Sequence, residues 1–188
     1  MTDAISTALE EVDTALGRLA ETLSGLGDGA LHLAHRDGGW TPSELVSHIN
    51  TSVPLWTSTL SRVAHDPELS FVLREEVGHD AKGYPPPTVP LALQHLASAR
   101  RTLATVVPAI SEDVLARELT IPDLGTLTVA AWTPPILGHA AGHAQQARDV
   151  LQDRGALADR GTQQDRGAQQ DRGAQQDRGA LQDTGVPA

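Results

Sequence analysis

Seven aliphatic residues, Ile5, Leu9, Val12, Leu16, Leu19, Leu23 and Leu26, recur at alternating steps of four and three along the N-terminal segment. That spacing keeps one side of a 3.6-residue helix apolar, so it predicts an amphipathic helix that needs a partner surface. Gly25, Gly27 and Gly29 follow and end the helix, because glycine readily adopts the backbone conformation that closes a helix C-terminus. A chain that opens in this way is committed to packing helix against helix.

The second helix has the best-marked start. Thr41 stands at the N-cap, Pro42 at N1 and Glu44 at N3, which completes a capping box, and Trp40 and Leu45 are placed as a hydrophobic staple. Leu45, Ile49, Val53, Trp56, Leu60 and Val63 continue the stripe to about Ala64, with Pro54 expected to kink it near the middle. Residues 65–87 form a long connection ending in Tyr84, Pro85, Pro86 and Pro87, a run that favours extended backbone. Thr88 can cap a third helix whose inward face is Leu93, Leu96, Leu103 and Val107, ended by Pro108.

A short helical turn after Ser111 precedes two β-prone runs around Asp123, Leu124 and Gly125, read as a small hairpin or an extended loop. The last helix starts at Thr128 or at Thr133, and Pro134 and Pro135 favour the later start. It runs to about Leu151, with Trp132, Ile136, His139 or Ala140, His143, Ala147 and Val150 expected inward. Four helices joined by long links predict an all-α four-helix bundle with crossover connections.

From Asp153 the chain changes character, repeating DRGxxx with a six-residue period and almost nothing apolar to bury. A hexapeptide β-helix needs an aliphatic residue at a fixed place in each turn, and Gln fills most candidate sites. Glycine in every repeat also works against a long helix, at about 1 kcal/mol each. Residues 1–152 are therefore read as the folding unit, and 153–188 as a disordered low-complexity tail.

Composition excludes several functions. The formal charge is −10, and the tail, with six Asp and five Arg, carries only −1 of it, leaving −9 on residues 1–152. Such a surface repels phosphate backbones and anionic lipid, so nucleic acid and membranes are not expected partners. With no cysteine, the chain has no disulfide, no thiolate ligand and no cysteine nucleophile. No signal-like start or apolar run of membrane-spanning length is present, and the default location is cytoplasmic.

The remaining chemistry lies in histidine. His139 and His143 are one helical turn apart, so both imidazoles can reach one ion from the same helix. His48 lies one turn beyond Glu44, beside the stripe of Leu45, Ile49 and Val53. Three neutral imidazoles suit Zn²⁺, Ni²⁺ or Fe²⁺ and leave a coordination position open. With 8 histidines in 188 residues the i, i+4 pair alone is weak, since chance supplies one in about a third of such chains. His32, His35, His65 and His79 fall in predicted loops or at helix ends, His95 on helix three has no partner at ligand spacing, and all five read as surface or backbone-bonded residues. Glu44 is explained by the capping box, and its position also allows it to stand behind His48 and orient that ring.

Two stretches, RDGGWTPSELVSHINTS and GTLTVAAWTPPILGHAAGHAQQAR, together resemble the DinB/YfiT-like superfamily of metal-binding four-helix bundles. Trp40, Glu44 and His48 match the first family segment, and His139 and His143, followed by Gln, match the His-x-x-x-His of the last helix. The resemblance spans residues 3–152 and implies His48, His139 and His143 as ligands of a divalent metal, Zn²⁺ or Ni²⁺. It also implies a homodimer acting on a small-molecule substrate. Related enzymes include mycothiol- and bacillithiol-dependent transferases and maleylpyruvate isomerase, which implies a metal-dependent S-transferase with a low-molecular-weight thiol as cosubstrate. Two alternatives are a metal-dependent hydrolase and a stress-associated helical dimer with a structural metal. The chain departs from the family pattern at Ser47, where many members carry a second histidine, and at Thr51, where they carry an acidic residue.

Overall fold

The computed structural model describes residues 2–35, 38–66, 83–121 and 124–153. The expected disordered tail and most of the connection before the third helix lie outside them. Four long helices, α1 (Asp3–Leu23), α2 (Pro42–His65), α3 (Val89–Val106) and α5 (Val129–Asp153), form the bundle. The short helix α4 (Glu112–Leu115) and a hairpin of β1 (Glu118–Ile121) and β2 (Gly125–Thr128) precede α5. Helix α5 packs on α1 and α2, and α3 packs on the same two from the other side. Consecutive helices α1 and α2 thus sit on a diagonal, and the link between them crosses one end of the bundle.

Local chemistry sets the helix ends. The Thr2 hydroxyl accepts the Ile5 N–H to open α1, and Gly25, with φ of 139°, turns the chain after its end. The box at the start of α2 is complete, with Thr41 Oγ1 accepting the Glu44 N–H at 3.2 Å and Glu44 Oε2 accepting the Thr41 N–H at 2.8 Å. Helix α2 continues through Pro54 without interruption. Ser111 caps α4 by accepting the Val114 N–H.

Both remaining long helices start where one of the expected readings put them, and only the capping group of α3 and the preference for a later α5 start need correction. Thr88 takes the N-cap place of α3, but its side chain makes no capping bond; Asp28 Oδ1 accepts the Val89 N–H at 2.8 Å instead, from 61 residues away. Helix α5 starts at Val129, the earlier of the two alternatives, so the prolines did not decide. The hairpin supplies the reason: the Arg117 carbonyl accepts the Val129 N–H at 2.8 Å, and Thr128 Oγ1 accepts the Ala131 N–H at 3.2 Å. With the first turn anchored, Pro134 and Pro135 are carried inside the helix.

The core is one cluster. Ile5, Val12, Leu16, Leu19 and Leu23 of α1 meet Leu45, Ile49, Val53, Trp56 and Leu60 of α2, Leu96 and Leu103 of α3, and Leu137 and Leu151 of α5. Leu93, expected inward, is only partly buried, because Val89, Ala92, Leu96, Ala99 and Leu103 take the inner face of α3.

After the connection, the chain returns tightly onto α2. Ser43 Oγ donates to the Pro86 carbonyl at 2.7 Å, and Gly83, with φ of +58°, passes over Ser47 and Thr51. A Cβ at position 83 would lie 2.7 Å from Ser47 Oγ and 2.8 Å from Thr51 Oγ1, so only glycine fits there without displacement. Ser47 and Thr51 are thus the seat of this strap.

Candidate metal centre

The capping box fixes the phase of α2, and that phase turns His48 inward, where it is 3 % exposed. Helix α5 is held in register by the Trp132 indole N–H, which donates to the Leu119 carbonyl at 2.9 Å, and by Thr133 Oγ1, which donates to the Val129 carbonyl. These anchors bring His139, 91 residues further along the chain, and His143 opposite His48.

The two α5 histidines do not occupy the core stripe, as their periodicity suggested. Leu137, Ala140, Ala144, Ala147 and Leu151 face the core, while His139 and His143 flank them and are half-buried. Ile136, also expected inward, is half-buried too. The cause is residue size: the large side chains suggested one phase, whereas small alanines form the buried seam and let α5 lie close to its neighbours. The triad is therefore at a rim, with one imidazole buried and two half-buried.

His48 Nε2 lies 3.0 Å from His139 Nε2, and His143 Nε2 lies 3.2 Å from the same atom. Among the described residues these three form the group of side chains able to hold a metal ion. An ion with metal–nitrogen bonds of about 2.0–2.1 Å in tetrahedral geometry separates its ligand atoms by about 3.3–3.4 Å, so the two separations at His139 fall just short of that range. The donor chemistry agrees. An imidazole nitrogen offers either one hydrogen or one lone pair, so His139 Nε2 can serve only one of its two neighbours well. Three lone pairs aimed at one cation remove that conflict.

His143 is oriented from behind as well. Gln146 Oε1 lies 3.2 Å from its Nδ1, and an amide oxygen there calls for a hydrogen on Nδ1, which leaves the Nε2 lone pair facing the other histidines. Trp40 is partly buried over the same group, with its ring 5.0 Å from His48 and 5.7 Å from His143. The staple reading of Trp40 did not foresee these ring contacts, since they depend on how α5 docks. The Gln146 contact had a signal, the three-residue spacing from His143.

Glu44 Oε2 accepts both the N–H and, at 3.2 Å, the hydroxyl of Thr41, as the capping-box explanation requires. Of the remaining histidines, His32 closes a short 3₁₀ turn, His65 ends α2 and His95 lies on α3, while His79 is outside the described residues.

Fold and site together define a four-helix bundle with a histidine triad of metal-binding type bridging its second and last long helices. The chain belongs to the DinB superfamily, whose family model matches residues 11–147. A solved structure with a similar fold is YfiT from Bacillus subtilis, described as "a probable metal-dependent hydrolase with an unusual four-helix bundle topology". It superposes with a TM-score of 0.66 at 15 % identity, covering 82 % of this chain and 90 % of that one. At that identity the likeness is one of fold. No curated protein matches the chain.

Proposed function

We propose that this protein is a metal-dependent enzyme that binds one divalent cation, Zn²⁺ or Ni²⁺, on His48, His139 and His143 and uses it to activate a small thiol for S-transfer. The observation that carries this reading is the convergence of three Nε2 atoms from two helices at a half-open rim. A divalent cation held there supplies Lewis acidity, which lowers the pKa of a bound water to about 7 and ionises a coordinated thiol. The chain has no cysteine of its own, so the sulfur comes from a low-molecular-weight cosubstrate of the bacillithiol or mycothiol type. The protein's part is to keep three imidazoles aligned: Gln146 directs His143, and burial in α2 holds His48. Glu44, locked in the cap, sets the helix start one turn before His48.

Hydrolysis is the second reading, favoured by the fold shared with YfiT, and it places water where the thiol would sit. A third assigns the ion only to pinning α2 against α5. The reading also includes a homodimer, which sedimentation of the full chain would test. Among the described residues, no helix is long and apolar enough to cross a membrane.

The deciding experiment loads the protein with Zn²⁺ or Ni²⁺ and supplies bacillithiol or mycothiol with monochlorobimane. Conjugation above the metal-free control supports S-transfer. Ester or amide cleavage without added thiol favours the hydrolase, and neither activity, with metal still bound, favours the structural reading.

A further inference from the structure

Trp40 is the residue whose placement the metal site itself does not explain. It precedes the Thr41 cap, with Gly38 and Gly39 at φ of 79° and 120° turning the backbone just before it. The cap that starts α2 therefore also fixes where the Trp40 backbone stands. Its indole meets two of the three imidazoles in different ways: edge-on to His48, with the planes at 68°, and nearly parallel to His143, with the planes at 13°. The two histidines belong to different helices, so a single ring rests against side chains from both sides of the site.

A histidine alternates between ligating and non-ligating orientations by rotating about Cβ–Cγ, which carries Nε2 away and turns the ring through the perpendicular. For His143 that movement turns the ring out of its nearly parallel arrangement with the indole, whose centroid lies 5.7 Å away. His143 is half-buried and otherwise the easier of the two to turn, while His48 is already enclosed by the core. Gln146, exposed on the same helix, meets Nδ1 of His143 from behind and leaves the indole-facing side of the ring to Trp40.

We infer that Trp40 is a positioning residue: its indole braces the imidazoles of His143 and His48 in their ligating orientation before any ion arrives, and so raises affinity for a divalent cation. This rests on the metal-binding reading above, and the test separates the two. Zn²⁺ affinity is measured by competition with a chromophoric chelator for the full-length protein and for Trp40→Phe, Trp40→Leu and Trp40→Ala. Phe preserves a stacking face, and Leu preserves bulk without one. The expected result is affinity within about threefold of the parent for Phe and a loss of about 10- to 100-fold for Leu and Ala. Equal affinity in all four, or Phe as weak as Leu, overturns the inference; if the Ala variant does not fold, the Phe and Leu pair still decides.

The second readout needs no metal. In the metal-free protein the His143 ring protons are expected to carry a ring-current shift from the neighbouring, nearly parallel indole, and Trp40→Leu to return them toward free-imidazole positions. Unmoved resonances overturn the brace. A parent protein that binds no Zn²⁺ yet shows this shift would end the metal reading and leave the brace standing as a property of the imidazoles.

Discussion

Gln146 Oε1 and His143 Nδ1 face each other at 3.2 Å along one turn of α5, so the last imidazole of the triad has a partner on its own helix. Gln146 is exposed and takes no part in the core. Gln146→Leu should therefore leave thermal stability of the metal-free protein unchanged and lower divalent-metal affinity by about tenfold. Chelator competition checks it, and parent-like affinity would show that the contact does not orient His143.

Removing a ligand has a larger consequence. His143→Ala should abolish stoichiometric metal in the purified protein, measured by elemental analysis, and with it the stabilisation that metal confers. At a free-ion concentration about 100 times Kd, the parent should gain about 2.7 kcal/mol and the variant nothing. Metal content unchanged by the substitution would refute the ligand assignment.

The strap over α2 makes a separate claim. Gly83→Ala places a methyl group within contact-breaking distance of two hydroxyls, at a φ that alanine adopts only with strain, and should destabilise the fold by about 1–3 kcal/mol in urea titration. Gly83→Ala combined with Ser47→Ala should recover part of that loss, because one hydroxyl is gone while the backbone strain remains. Strictly additive effects would mean that the strap relaxes away from Ser47.

Asp13 and Arg100 tie α1 to α3 through two bonds of 2.7 Å, Nε to Oδ1 and Nη2 to Oδ2. The guanidinium holds the Asp13 carboxyl below its usual value. A depressed carboxylate contributes stability that is complete above the unfolded-state pKa, near 4, and is lost as pH falls through the folded-state value. With the two side chains 41 % and 48 % exposed, solvent screening limits the contribution to about 0.2–1 kcal/mol. Asp13→Asn should therefore be less stable than the parent at neutral pH, and the gap should close as the medium is acidified toward pH 2. A constant gap would point to packing.

The parts of the fold that could be read from residues alone were those set by local rules. The Thr41, Pro42 and Glu44 start and the stripe from Ile5 to Leu23 needed nothing beyond their neighbours, and the short turn after Ser111 was equally local. Three features were not legible because a distant group decides them. Asp28 caps α3 from 61 residues away, and the Arg117 carbonyl anchors α5 ahead of two prolines. The third is the alanine seam of α5, which moved His139 and His143 from the core to its edge, since periodicity weighted by large side chains cannot see small ones. The triad itself was legible as spacing plus resemblance; its enclosure by Trp40 was not, because that contact exists only once α5 has docked on α2.

The docking of α5 also fixes an order of events during synthesis. Its residues, 129–153, close the described part of the chain, and two of the three imidazoles ride on it. A ribosome that has released only α1, α2 and α3 has exposed one isolated histidine of the triad, which has no chelating strength of its own. The convergence of the three imidazoles is thus deferred until the bundle shuts, and only the folded protein presents them together.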